Sequence, residues 1–405
     1  MPTIKLNQAD PEVAQLIATE AKRQANTINL IASENYASPA VLAALASPFT
    51  NKYAEGYPGK RYYPGNEIAD KVESLAIARA CKLFGAEHAN VQALSGGPAN
   101  LAIYSAFLKP GDKILALKLS HGGHLSHGHH VNFSGQNYTA IFYGVDPKTG
   151  LIDMKEVAKL AAAEQPKIIV AGASAYPRDI DWVSFAKIAR KNKALLLADI
   201  SHTAGLIAAG LLTNPIPLAD IAMTTTHKSL RGPRGAIIFC KQNYASAIDR
   251  AVFPGYQGGP HLNNIAAIAV ALKQASTPAF KKYAKQILLN TLAMADEFGR
   301  LGYQLTSGGT DTHLLVIDLT NKGLSGKQAE AKLAEDNITV SRSTIPDDPR
   351  GPMDPSGIRI GTPAITTRGF KEKDVRLLAR LIDQSLAGKS IKAAIAQLCK
   401  KNQIN

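Results

Sequence analysis

The chain has 405 residues, 45% hydrophobic and 19% charged, a composition that excludes a disordered chain or a coiled coil and gives room for a large core and two domains. Lys and Arg number 46 against 32 Asp and Glu, so the formal net charge is +14 and an anionic partner such as nucleic acid or a membrane surface has to be considered. Three cysteines, Cys81, Cys240 and Cys399, lie far apart without metal-ligand spacing, which excludes a disulfide framework or a zinc knuckle and fits a reducing compartment.

The first residues, MPTIKLNQADPEV, lack a charged region followed by an apolar stretch and a small-residue cleavage site, so a cytoplasmic location is expected. To about Ala46 a polar helical pattern leads into NLIASENYASPAVLAALAS, where Ser38 and Pro39 suit the cap and first turn of a short helix. This reads as an arm feeding the main domain. Apolar runs then alternate with helical stretches at Lys113 to Leu117, Thr139 to Tyr143, Lys167 to Ala171, Ala194 to Ala198, Ile221 to Thr225 and Ala236 to Cys240. Short strands between helices predict a mostly parallel sheet with helices on both faces.

The most apolar stretch, Ala194 to Leu212, is interrupted by Asp199, Ser201 and His202, groups too costly in lipid, so it reads as a buried strand followed by a loop. A long helix near Ala279 to Arg300 precedes a second, smaller α/β pattern: strands at Tyr303 to Thr306, His313 to Asp318 and Ile338 to Val340, with a helix near Gly326 to Glu335. The basic C-terminal region carries Arg368, Lys371, Lys373, Arg376, Arg380, Lys389, Lys392, Lys400 and Lys401 with Leu and Ile between them. That spacing reads as the solvated face of a helix rather than a nucleic-acid stripe. The predicted organisation is an N-terminal arm over 1–50, a large domain over 51–280 and a small C-terminal domain over 281–405.

The sharpest chemical signal is TTTHKSLRGPRG, residues 224–235, after a strand. Its Lys228 falls at the mouth of a parallel sheet, where such folds bind ligands. Desolvation and neighbouring cations, here Arg231 and Arg234, lower a lysine's pKa and ready it to attack an aldehyde and form a Schiff base. Asp199 ends a neighbouring strand, and a pyridine cofactor needs an acid there to keep its ring nitrogen protonated. A phosphate site is expected at Leu94 to Asn100, LSGGPAN, where glycines admit the anion and Pro98 suits the first position of the following helix. Lysine, aspartate and glycine turn together favour pyridoxal phosphate.

Long segments then carry a resemblance: NLIASEN, TNKYAEGYPGKRYY, LSHGGHL, VNFSG, VAGASAY, TTTHKSLRGPRG, FPGYQGGP, SGGTDTHLL and SGIRIGTPAITTRG. Over nearly its whole length the chain resembles the serine hydroxymethyltransferases, pyridoxal-phosphate enzymes of fold type I, the aspartate-aminotransferase class. The resemblance implies interconversion of L-serine and tetrahydrofolate with glycine and 5,10-methylenetetrahydrofolate. It implies that Lys228 binds the cofactor aldehyde, Asp199 meets the ring nitrogen and His124 stacks on the ring. Ser174 and His202 are expected near the phenolic oxygen, Thr225 is expected at the reacting carbon, and His227, beside Lys228, is expected among the catalytic residues. Ser95, Gly96, Gly97 and Arg234 complete the cofactor set, and Arg359 is expected on the amino-acid carboxylate, a task suited to a bidentate guanidinium.

The resemblance further implies that Ser33, Tyr53, Glu55 and Tyr63 act on the substrate side. Tyr53 and Glu55 normally enter from the other subunit of a homodimer, Glu55 as the acid–base group, and Gly258 and Gly259 normally reach the partner's cofactor phosphate. Folate contacts are expected around Leu119, Gly122, Gly123 and Leu125. Two departures stand out. The family's phosphate turn SGSQAN has Gly97 and Pro98 here, removing one hydroxyl donor worth about 0.5 to 1.5 kcal/mol. The pterin-contacting asparagine falls at Ser343, which leaves a folate-independent aldolase or transaldolase of β-hydroxy amino acids as the alternative. His121, His127, His129 and His130 lack the supporting ligand spacing for a metal, and no metal is expected. Neither a membrane nor, as main partner, nucleic acid is expected.

Overall fold

A computed structural model describes residues 6–404. The helix Pro11–Ala25 starts at a cap in which Asp10 accepts from the Val13 N–H. It is followed by β1 (Ile28–Asn29), the helix Pro39–Leu45 and a hairpin of β2 (Gly56–Tyr57) and β3 (Lys60–Arg61). Ser38 caps Pro39–Leu45 by accepting from the Val41 N–H, as its sequence suggests. The helix Glu67–Phe84 then leads into a sheet of β4 (His88–Asn90), β5 (Lys113–Leu117), β6 (Thr139–Tyr143), β7 (Ile168–Gly172), β8 (Leu195–Asp199), β9 (Ile221–Thr225) and β10 (Ala236–Cys240).

The spatial order is β4-β10-β9-β8-β7-β5-β6, parallel from β9 to β6, with β10 antiparallel to both its neighbours. Every residue of β7, β9 and β10 is buried, because helices cover both faces and unbroken Ile, Val and Ala runs satisfy them. Side by side, β8 and β9 run in the same direction, so Asp199 and the segment leading to Lys228 leave the sheet at the same edge. The stretch after Asp199 is a turn followed by the short helix Ala204–Ala208 rather than the loop expected. That helix brings Gly205 so close to the Ser229 backbone that an added Cβ would lie 2.3 Å from the Ser229 carbonyl oxygen.

After the helices Leu262–Ala275 and Pro278–Arg300 come β11 (Gln304–Leu305), β12 (Leu314–Asp318), β13 (Ile338–Thr339), β14 (Ser341–Ser343) and β15 (Gly357–Gly361), with β11-β12-β15-β14 forming an antiparallel sheet. The strand expected over Tyr303 to Thr306 is shorter, because the backbone turns at Thr306–Gly308 with Ser307 at φ 55. The expected boundary at 280/281 falls inside the helix Pro278–Arg300. Phe280, Ala284 and Ile287 pack in the core under the large sheet, whereas Ala293, Met294 and Phe298 pack in the C-terminal core. The arm also divides: β1 pairs parallel with β13, and Ile28 and Leu30 join the C-terminal core, so this part does not feed the large domain.

The basic C-terminal region is not simply solvated. Arg368 is buried and donates to the carbonyls of Gln24, Ala25, Thr27, Cys399 and Asn402, groups that helix ends leave without partners. Arg376 pairs with Asp296 and Glu297, Arg380 with Glu297, and Lys401 with Asp374. Among the described residues no helix is long and apolar enough to cross a membrane.

Candidate active site

At the carboxyl ends of β8 and β9 lies a cavity of about 500 Å³. Asp199 occupies its floor. The carboxylate accepts from the Ser201 N–H at 3.0 Å and from Asn100 Nδ2 at 3.3 Å, and Oδ2 lies 2.9 Å from His127 Nε2. Burial opposes its charge, but the His127 contact, Ser201 and nearby Lys228 hold the carboxyl well below the usual range. A buried acid so held is suited to facing a protonated ring nitrogen.

Lys228 follows β9, is 9% exposed and lines the same cavity. Burial pushes its amine down to about 8, assisted by Arg359 and Arg234 and opposed by Asp199. The expected role of Arg231 in this shift is not seen. At φ 62 its backbone turns the side chain away, so that Nε donates to the Tyr36 carbonyl and the guanidinium sits 5.5 Å from the Tyr283 ring centroid. The Lys228 carbonyl is held by Asn35 Nδ2 at 3.0 Å.

The glycine turn differs from expectation in one respect. The helix runs Gly96–Phe107 with Ser95 as its N-cap, so Pro98 is the third helical residue rather than the first. Ser95 makes no capping bond through its side chain, and Gly96 and Gly97 lie in the first turn, whose N–H groups have no intrahelical acceptor, while Pro98 in the same turn has no N–H to offer. Gly96 also packs against Thr225, since an added Cβ would meet its methyl at 2.8 Å. These N–H groups, together with Asp199 and Lys228, fit pyridoxal phosphate, which needs a phosphate cradle, an acid and an amine in one enclosure.

Arg359, on β15, reaches this cavity from the C-terminal domain. Its Nη1 donates to the Ser174 carbonyl at 2.8 Å, its buried Nε has no partner, and burial lowers its pKa to about 10. A buried cation with an unused donor calls for an anion such as a carboxylate. His124, His202, His227, Ser33, Ser174, Thr225, Arg234, Leu119, Gly123 and Leu125 also line the cavity. Burial lowers the His124 pKa to about 4 and that of His227 to about 3, keeping both rings neutral. Gly122 stands just behind the wall, its carbonyl accepting from the Ser174 and Ala175 N–H groups.

Tyr53, Glu55, Tyr63, Gly258 and Gly259 do not line this cavity; they form a second cluster. The Tyr53 hydroxyl lies 3.5 Å from Glu55 Oε1, and the Tyr53 and Tyr63 ring centroids are 5.4 Å apart. A Cβ added at Gly258 would meet Glu55 Oε1 at 3.4 Å, and one at Gly259 the Tyr53 ring at 3.5 Å. Coulombic repulsion from Glu55 raises the Tyr63 pKa. Ser343 also lies outside the cavity, at the end of β14 with its hydroxyl on the Thr344 carbonyl, while Thr344 Oγ1 donates to the Ser120 carbonyl.

Sequence reasoning missed Asn35, Asn100, His127 and His313. Asn100 ties Asp199 to Ser126, whose hydroxyl lies 2.7 Å from His124 Nδ1, so one network spans the carboxylate and the His124 ring. Three of them lie in the motifs NLIASEN, LSGGPAN and SGGTDTHLL, the first two of which pointed to Ser33 and to Ser95, Gly96 and Gly97, and the third to no residue. His127 was weighed only as a metal ligand. Among the described residues no three His, Cys, Asp or Glu side chains gather into a metal-binding cluster.

Comparison with known proteins adds to this geometry. A family model described as serine hydroxymethyltransferase matches residues 6–382. A serine hydroxymethyltransferase of Coprothermobacter proteolyticus is 54% identical over 398 residues, covering 98% of this chain and 96% of that protein. One from Desulfotalea psychrophila is 52% identical over 398 residues, covering 98% of this chain and 93% of that protein.

Proposed function

The chain belongs to the serine hydroxymethyltransferase family, and from that premise we propose how its residues divide the work of a pyridoxal-phosphate-dependent hydroxymethyltransferase. The reaction interconverts L-serine and tetrahydrofolate with glycine and 5,10-methylenetetrahydrofolate. Bound pyridoxal phosphate supplies a protonated pyridine ring that withdraws electrons from the substrate's α-carbon. Lys228 would hold the cofactor aldehyde through its amine, where the amino acid's own amine would take its place. Asp199, kept anionic by its neighbours, holds the proton on the ring nitrogen. Ser95 and the first-turn N–H groups of Gly96 and Gly97 bind the phosphate, with Arg234 at the rim, and His124 supports the ring face.

Arg359 binds the substrate carboxylate and orients the amino acid, with Ser33 beside it. Ser174 and His202 would meet the cofactor's phenolic oxygen, and Thr225, with His227 beside Lys228, would face the reacting carbon. Glu55 moves the proton of the serine hydroxyl, with Tyr53 and Tyr63 close by. Because these three stand outside the cavity of their own chain, they and the Gly258–Gly259 loop are assigned to the neighbouring subunit's site across a homodimer interface. Two features support a dimer: Val13, Leu16 and Ile17 are exposed on a helix with no buried residue, and Tyr53, Tyr62, Ile68 and Leu75 are exposed as well. Leu119, Gly122, Gly123, Leu125 and Ser343 are assigned to the folate side, and the location to the cytoplasm.

The observation that carries the reading is the convergence of Lys228, Asp199 and an unsatisfied Arg359 on one cavity. Glycine release from serine, followed with and without tetrahydrofolate, tests it. Strong acceleration by tetrahydrofolate is expected. Release indifferent to folate, with rapid cleavage of threonine-type substrates, would move the assignment to a folate-independent aldolase.

A further inference from the structure

His313 sits just before β12 in the C-terminal domain and is fully buried. Its Nε2 lies 3.2 Å from Nδ1 of His202, with the ring centroids 5.3 Å apart and the planes inclined by 27°. His202 lines the cavity. With Nδ1 turned to His313, its remaining ring nitrogen is the one available to a ligand. Both backbones are fixed independently of any ligand: Ser229 Oγ donates to the His202 carbonyl at 2.7 Å, and the Thr362 N–H to the His313 carbonyl at 3.0 Å.

A clasp between the two domains sets the distance between these rings. The Asp311 N–H and the hydroxyls of Thr310 and Thr312 converge on the Pro177 carbonyl, and Arg178 donates to the Ser307 carbonyl while pairing with Asp311. The clasp therefore delivers an imidazole from one domain to the back of an imidazole in the other. A neutral imidazole carries one proton on two nitrogens, and the bond made by one nitrogen decides the role of the other. Burial lowers the basicity of both rings, to about 3 for His313, with Lys228 and Arg359 close enough to oppose any added proton. The pair is thus neutral, with one proton on the line between the rings.

We propose that His313 is a positioning residue that locks the ring plane and a single tautomer of His202 from the C-terminal domain, fixing whether His202 donates or accepts at the cavity wall. The inference rests on the functional reading above, in which His202 meets the cofactor. Cofactor-free protein labelled with 15N at histidine tests it. The His202 ring nitrogens, assigned by their loss in His202→Asn, are expected at two well-separated shifts, the signature of one tautomer. His313→Leu brings them toward an average, and His313→Gln, whose amide can still meet Nδ1, keeps them apart.

Titration with pyridoxal phosphate supplies the second readout. His313→Leu weakens binding about tenfold and His313→Gln by no more than about threefold, the range of one hydrogen bond. Averaged shifts in the native protein overturn the inference, as do unchanged shifts and affinity in His313→Leu. If that variant fails to fold, the native spectrum and His313→Gln still decide. The NMR measurement needs no ligand, so failure of pyridoxal phosphate to bind would sink the functional reading while leaving the test of His313 intact.

Discussion

Lys228 and Asp199 show how one cavity can depress two pKa values of opposite kind. The carboxylate gains donors that outweigh its burial, whereas the amine loses water and faces the guanidinium of Arg359. Lowering a base's pKa raises its neutral fraction at a given pH, so the reactive amine of Lys228 grows in as pH rises through about 8 rather than its usual 10.5. The initial rate at which cofactor-free protein condenses with pyridoxal phosphate should climb through that midpoint and level above it. A rate still rising tenfold per pH unit toward pH 10 would mean that Lys228 is solvated. Both residues were legible in the sequence because a strand-end lysine and a strand-end acid are local patterns. Their supports were not: His127 and Asn100 meet Asp199 across 72 and 99 residues of chain, and only packing reveals such partners.

Among the elements, the register of β7 against β8 does the most to position the chemistry. It places Gly172 opposite Asp199, where an added Cβ would lie 2.7 Å from the Asp199 Cβ. Gly172→Ala should therefore cost about 1 to 3 kcal/mol of stability as an overpacking change and weaken cofactor binding by tilting the carboxylate. Chemical denaturation and cofactor titration would check the two effects, and an unperturbed variant would show that the strands can part. Six strands of the large sheet were legible as aliphatic runs, to within a residue. β4 was not, because three residues, His88–Asn90, are too few for an alternation to register. The start of Gly96–Phe107 was also misplaced, since a glycine pair weakens a helical pattern where the chain in fact begins to coil.

For the whole molecule, the separation of Glu55 from the cavity that holds Lys228 has a consequence that single variants do not expose. Lys228→Ala and Glu55→Gln should each be inactive alone, yet mixing them under conditions that exchange subunits should restore about a quarter of native activity, because in a two-fold dimer one site in each mixed pair is intact. Activity staying at background, with exchange demonstrated, would show that each subunit works alone. The second sheet was legible from the restart of the strand pattern, but the place where the large-sheet core gives way to the C-terminal core was not, because a helical repeat looks the same whichever core it faces. The helix Pro278–Arg300 serves as a shared rafter: its first half packs in one core and its second half in the other. Because both halves belong to one continuous helix, a tilt that loosens Ala293, Met294 and Phe298 in one hydrophobic interior also shifts Phe280, Ala284 and Ile287 in the other, so the rafter passes a disturbance from one half of the molecule to the other.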